Sequence, residues 1–312
     1  MIAAFVTRWD VFFHRTVPPH LLAILRISFG LFLMLYWYTQ WVQAPLFSSE
    51  QGLTVPLYRI DLPLFLFLFH PPLWFVQSFF VCVFLALFTF TLGLLTRTSA
   101  LLLLVLFLYF HCLTQYLFST SFYRLYGFAL LVFLLPGADR TFSVQMLLER
   151  GSFLAWEPIS ILPQRLLALQ VSFTYFGVGW QKLYLPDWQS GAILRNGFMG
   201  RWATACAFFF ARLLPPAAFD WMVATVKVFE CSLPFGLWSR RFRGWFFVGG
   251  FLFHTLVTLT LSIWWFQVLV PLYIVFLTPE EVYEAVKRVS GGSPLFQKNR
   301  ASFSAAVEKD RG

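Results

Sequence analysis

Residues 73–95 read LWFVQSFFVCVFLALFTFTLGLL, a run of 23 positions with no Asp, Glu, Lys, Arg or His. Coiled as a helix, such a run rises roughly 34 Å, enough to cross a hydrocarbon core about 30 Å thick. Every face of it is apolar, the pattern of a helix buried on all sides or set in lipid. Comparable runs recur at 20–42, 99–117, 120–137, 163–185, 217–238, 244–262 and 264–278. The pattern predicts an all-α fold, a polytopic transmembrane helical bundle with about eight spans. The segment 61–72 is apolar but short and closes on Pro71-Pro72, so it reads as interfacial or re-entrant.

Composition agrees. Hydrophobic residues make up 59% of the 312 positions, aromatics 21% and charged residues only 12%, and mean hydropathy is +0.71. A soluble chain carries about 25% charge, because its surface faces water. The net charge of +9 does not point to nucleic acid, since no basic run interleaves with aromatics on a polar background. Cys82, Cys112, Cys206 and Cys231 show no CxxC spacing, and three lie in apolar runs, which suits small buried hydrophobes. No glycosylation sequon or lipidation signature occurs. After Arg8 and Arg15 the first apolar run is longer than a signal-peptide core and lacks a small-residue cleavage site, so it reads as an uncleaved span.

Basic residues set the orientation. With both termini inside, Arg59, Arg124, Arg195, Arg201 and Arg212 fall outside, while Arg26, Lys182 and Lys227 lie in spans. The remaining Lys and Arg, including Arg240, Arg241 and Arg243, are cytoplasmic, a bias of roughly three to one that follows the positive-inside rule. Residues 1–19 form a cytoplasmic N-terminal segment, 20–278 the transmembrane domain, and 279–312 a cytoplasmic amphipathic helix and tail. That short C-terminal helix opens on Thr278-Pro279-Glu280-Glu281, an N-cap followed by Pro and by Glu three positions on. The chain after Gly291-Gly292 is polar and reads as disordered. No internal repeat appears, which speaks against inverted-repeat transporters.

Ionisable groups within spans are costly and mark candidate sites. Arg26 either snorkels or is buried. Lys227 and Glu230 share a helix face at i, i+3, with Asp220 nearby on it, which fits a helix-stabilising ion pair or a relay. His254 lies one turn from Thr258 and near Gly249-Gly250, where helices approach closely. His111 and Gln115 form a similar i, i+4 pair. No spacing suits a dedicated metal site. Tyr175, Gly179 and Lys182 line one face at i, i+4, i+7, with Trp188 and Gly191 just beyond. A lysine at the edge of a desolvated cavity can serve as a general base, and one at a span's end can instead reach headgroups.

Several stretches resemble one family. Leu25-Arg26-Ile27-Ser28-Phe29-Gly30, followed by Pro45-Leu46-Phe47-Ser48-Ser49-Glu50-Gln51-Gly52-Leu53, resembles the opening of the HTTM (horizontally transferred transmembrane) domain. Leu135-Pro136-Gly137-Ala138-Asp139-Arg140-Thr141-Phe142-Ser143 resembles its inner corner, and Tyr175 to Leu183 with Asp187-Trp188 and Gly191 its lysine signature. Phe229-Glu230, Pro234-Phe235 and Phe253-His254 resemble its later positions. The superfamily includes the vitamin K-dependent gamma-glutamyl carboxylase, in which the matching lysine lies in a lumen-facing cavity and is implicated in deprotonating vitamin K hydroquinone. The resemblance thus implies Lys182 and His254 as catalytic residues, and Tyr175, Trp188, Arg26, Lys227 and Glu230 around a substrate cavity. A quinone or hydroquinone is implied by resemblance alone. Two departures argue against authentic gamma-carboxylation. Residues 119–124 lack the carboxylase's Asn-His pair, and the chain ends in a short tail where the carboxylase has a lumenal domain.

The resemblance implies a bacterial cytoplasmic membrane protein and leaves three readings. One is a carboxylase-like enzyme acting on a lipophilic, quinone-like substrate. Another is a non-catalytic factor for maturation or export of a small secreted protein or peptide, which a neighbouring gene for such a peptide would favour. The third, a transporter, has least support, and flux dependent on Asp220 or Glu230 would revive it. In each, the lipid bilayer is the first partner.

Overall fold

A computed structural model of the chain describes residues 2–52, 71–114 and 121–290. The 61–70 part of the interfacial segment, Gln115 and the tail from 291 lie outside the described residues. The chain divides into two compact units, Met1–Arg165 with Leu277–Gly312, and Leu166–Phe276.

The first unit begins with α1 (Ile2–His14), then β1 (Thr16–Val17) and the long α2 (His20–Phe47). α3 (Leu73–Leu92), α4 (Thr96–Thr114), α5 (Ser121–Val132) and the short α6 (Val144–Arg150) follow. β2 (Ile159–Ser160) pairs antiparallel with β1, Thr16 opposite Ser160 and Val17 opposite Ile159. α3 shows why the opening stretch forms a span. Val76, Phe79, Phe80, Val83, Leu87 and Phe90 are buried, and α3 packs against α2 and α4. Its other face exposes Trp74, Val81, Leu85 and Phe88. A helix with one apolar face buried and the other bare belongs in lipid, where an exposed hydrocarbon face costs nothing. The helix stops at Gly93, whose φ of 72° is left-handed. The Leu94 N–H donates to Thr89 O and the Gly93 N–H to Phe90 O, closing the end in a Schellman pattern. Between α2 and α5, the Trp37 indole N–H donates to Tyr126 Oη at 2.7 Å, which satisfies two buried polar groups at once.

The second unit holds α7 (Leu162–Tyr184, which starts in the first), a 3₁₀ turn at Pro186–Trp188 and the short α8 (Ala192–Gly197). α9 (Ala205–Leu213), α10 (Pro216–Trp238) and α11 (Arg243–Leu261) complete its helices. The expected eighth span, 264–278, takes another form: two 3₁₀ segments, Trp264–Leu269 and Pro271–Phe276. Pro271 lacks the N–H an α-helix needs there, and its ring crowds the carbonyl four residues back. Ser262, at φ 53°, has already turned the chain out of α11.

The C-terminal helix α12 (Pro279–Val289) belongs to the first unit and has its full capping box. The Thr278 N–H donates to Glu281 Oε2 at 2.8 Å, and the Glu281 N–H to Thr278 Oγ1 at 3.3 Å. Its apolar side docks Tyr283 against Trp156 and His20. Among the described residues, α2, α3 and α11 are long and apolar enough to cross a membrane, and a broken pair over 264–289 makes a fourth candidate. α7 and α10, at 23 residues each, are equally long but carry the charges discussed next.

Candidate functional site

In the second unit the site is built on α7 and α10. They touch at Gly179, where a Cβ would lie 2.9 Å from the Cys231 nitrogen and sulfur and from Glu230 Cβ. Nothing larger than glycine permits that approach. One turn further along α7, Lys182 Nζ donates to both oxygens of Glu230 at 2.6 Å. The pair is removed from solvent, with side-chain exposure of 13% for Lys182 and 6% for Glu230. The chain then turns through Pro186–Trp188 and lays the Trp188 ring 4.3 Å from Nζ, a cation–π contact.

The reading that Lys227 pairs with Glu230 along α10 is therefore corrected. Glu230 takes Lys182 from the facing helix, while Lys227 Nζ donates to Trp188 O at 3.0 Å. Asp220, two turns earlier on the same face, accepts from the Gly191 N–H at 2.6 Å. Gln189 Nε2 caps the end of α7 by donating to Leu183 O and Leu185 O at 2.9 Å each. Lys227 and Asp220 thus pin the two ends of the loop that carries Trp188. A side chain at Gly191 would collide with the Phe219–Asp220 backbone, so this loop too needs its glycine.

A second cluster centres on Tyr175, which is buried. Its hydroxyl lies 2.5 Å from His254 Nε2 and 2.6 Å from Tyr273 Oη. Tyr273 reaches it because Gly250 on α11 leaves room for the Tyr273 ring. His254 stacks parallel to Phe266, and its Nδ1, like Thr258 Oγ1 one turn on, is buried without a partner among the described residues. A substrate oxygen or a water would satisfy such atoms. Tyr273 escaped the sequence reading. Its signal was a hydroxyl in an apolar run beside a glycine pair on another helix, and a buried tyrosine hydroxyl needs a partner.

Lys182, Glu230, Trp188 and Lys227 are thus gathered in one cluster, and Tyr175 and His254 in another, all within residues 166–276. Arg26 belongs to the first unit and is fully buried. Its Nη1 donates to Ala138 O at 2.7 Å and its Nη2 to Phe142 O at 2.5 Å, at the corner that follows α5.

Fold and site define a helical integral membrane protein with a buried lysine–carboxylate pair under an aromatic ring. The family model of the HTTM domain matches residues 14–280, and the chain belongs to that family. No curated protein and no solved structure matches it.

Proposed function

We propose that this HTTM protein is a membrane enzyme performing acid–base chemistry on a lipophilic, quinone-like substrate, with Lys182 handling the proton. The Lys182–Glu230 pair carries the reading, because buried ion pairs are costly to keep for stability alone. Transfer of one proton from Nζ to Glu230 leaves a neutral amine beside a carboxylic acid. The amine then takes the proton of a substrate hydroxyl, leaving an oxyanion next to the new ammonium. The Trp188 ring offers a flat face for an aromatic substrate, and Lys227 anchors the backbone of the loop that carries it. Tyr175 and His254 form the second acid–base element, and His254 Nδ1 and Thr258 are open to a second substrate oxygen. Arg26 supports the fold. In this reading α7 and α10 also cross the bilayer, the spans number about eight, both termini are cytoplasmic, and Lys182 faces the outer side of a bacterial cytoplasmic membrane.

The test uses the purified full chain in lipid nanodiscs with a reduced naphthoquinone. Wild-type protein and, at higher substrate concentration, Lys227→Ala should deprotonate it, while Lys182→Ala should lose the deprotonation by at least about a hundredfold, the usual reach of general base catalysis. Full activity or full biological function in Lys182→Ala overturns the proposal.

A further inference from the structure

The α4–α5 hairpin, in the first unit, takes no part in the chemistry above. Between the two helices runs a groove of about 490 Å³, within the size range of ligand sites. The helices are antiparallel neighbours, so the residues that line it sort by depth. At one end lie His111 near the close of α4 and Tyr123 and Arg124 in the first turn of α5. The His111 and Tyr123 rings are 5.0 Å apart, centre to centre, which ties these groups into one polar end. From there the lining is apolar: Leu104, Phe107, Leu108, Phe128 and Leu131.

Arg124 is exposed, and His111 Nδ1 is buried without a hydrogen-bond partner among the described residues. From Arg124 to Leu131 the groove follows α5 for roughly 10 Å, most of one leaflet of a hydrocarbon core about 30 Å thick. Leu108 and Leu131 on its rim are exposed, so an occupant can enter sideways from lipid.

We infer that this groove is a binding site for an anionic phospholipid of the bilayer, its phosphate on Arg124 and His111 and one acyl chain along the apolar trunk. The two ends together select that occupant. A neutral isoprenoid or quinone tail would fill the trunk and leave the guanidinium unused. A free phosphate would meet the arginine and leave the trunk empty. The guanidinium fork matches phosphate oxygens in pairs, and a donor is what an unpartnered ring nitrogen can offer a second oxygen. A groove of similar size between α10 and α11, lined by Trp221, Val228 and Trp245 among others, has no charged lining residue and supplies an internal contrast.

The experiment is lipid retention by the full chain. Protein in nanodiscs of equimolar phosphatidylglycerol and phosphatidylcholine is moved to mild detergent, and the lipids that stay bound are counted by native mass spectrometry. The wild type should retain phosphatidylglycerol over phosphatidylcholine by about fivefold, the scale of one arginine at a membrane surface. Arg124→Gln should bring that ratio close to one, while Arg241→Gln, an exposed arginine elsewhere, should leave it unchanged. Leu131→Trp, which fills the trunk from an exposed position, should lower the number of retained lipids. Equal retention of both lipids by the wild type overturns the inference. So does an unchanged ratio in Arg124→Gln, or displacement of phosphatidylglycerol by an equimolar neutral quinone.

Discussion

Arg26 in the first unit and Lys182 in the second are both basic residues on apolar helices, the first fully buried and the second half-buried, yet they are held in opposite ways. Arg26 gives its donors to two backbone carbonyls at the corner after α5, Ala138 and Phe142. Those acceptors cannot take up a proton, and a guanidinium does not give one up. Lys182 faces a carboxylate, Glu230, at 2.6 Å. Its partner is an ionisable side chain on a facing helix, where Arg26 has only main-chain carbonyls. One charge fixes a corner; the other forms an ion pair with a second side chain. The contrast favours Lys182 over Arg26 for the acid–base chemistry proposed above, and burial alone would not have told them apart.

The largest break in the comparison should come from Arg26→Met. It leaves Ala138 O and Phe142 O buried without donors and removes two charge-assisted hydrogen bonds, a loss of about 3–5 kcal/mol. Its measure is a marked fall in the thermal unfolding midpoint in detergent, and Arg26→Lys should recover only part of it, since an ammonium lacks the fork. Gly93→Ala should move the midpoint the same way. A methyl group there would strike the Arg26 guanidinium, and φ 72° is already strained for alanine. A midpoint unchanged in Arg26→Met would erase the structural half of the contrast.

Glu230→Gln leaves Lys182 without its counter-charge and should cost less, about 2 kcal/mol, between the limits for exposed and fully buried pairs, because Lys182 is half-buried and keeps the Trp188 ring. If Glu230→Gln lowers the midpoint as far as Arg26→Met, the pair is as fixed as the arginine and the comparison collapses.

Hydropathy made α2, α3 and α11 legible, because lipid-facing and core-facing positions are both apolar and a simple count finds the run. It missed the form of 264–276, which is apolar too but folds as 3₁₀ segments. Pro271 and the turn at Ser262 decide the hydrogen-bond ladder there, and hydropathy does not register the ladder. The site was legible as single residues: Lys182, Glu230, Trp188 and His254 all stood out as polar or aromatic groups beside a family signature. Their pairing was not legible. Sequence spacing favours Lys227 for Glu230, since i, i+3 neighbours share a face. The actual choice rests on Gly179 letting α7 and α10 touch, a tertiary contact that leaves only a glycine in the sequence.

The smallest effect on stability separates the two roles most sharply. Trp188→Leu removes a cation–π contact worth about 1 kcal/mol and leaves the Lys182–Glu230 distances to be set by α7 and α10 alone. The Lys227 bond goes to the Trp188 carbonyl, which leucine also has, so the loop stays anchored. The unfolding midpoint should therefore move little, while binding of an aromatic substrate should weaken by about tenfold for the lost ring face. Lys227→Met sharpens the test, because it keeps the ring and frees its anchor. It should raise the substrate concentration needed without changing the rate at saturation. Were Trp188→Leu to lower the midpoint as far as Arg26→Met, the ring would be part of the scaffold, and the second unit would hold its cation as rigidly as the first.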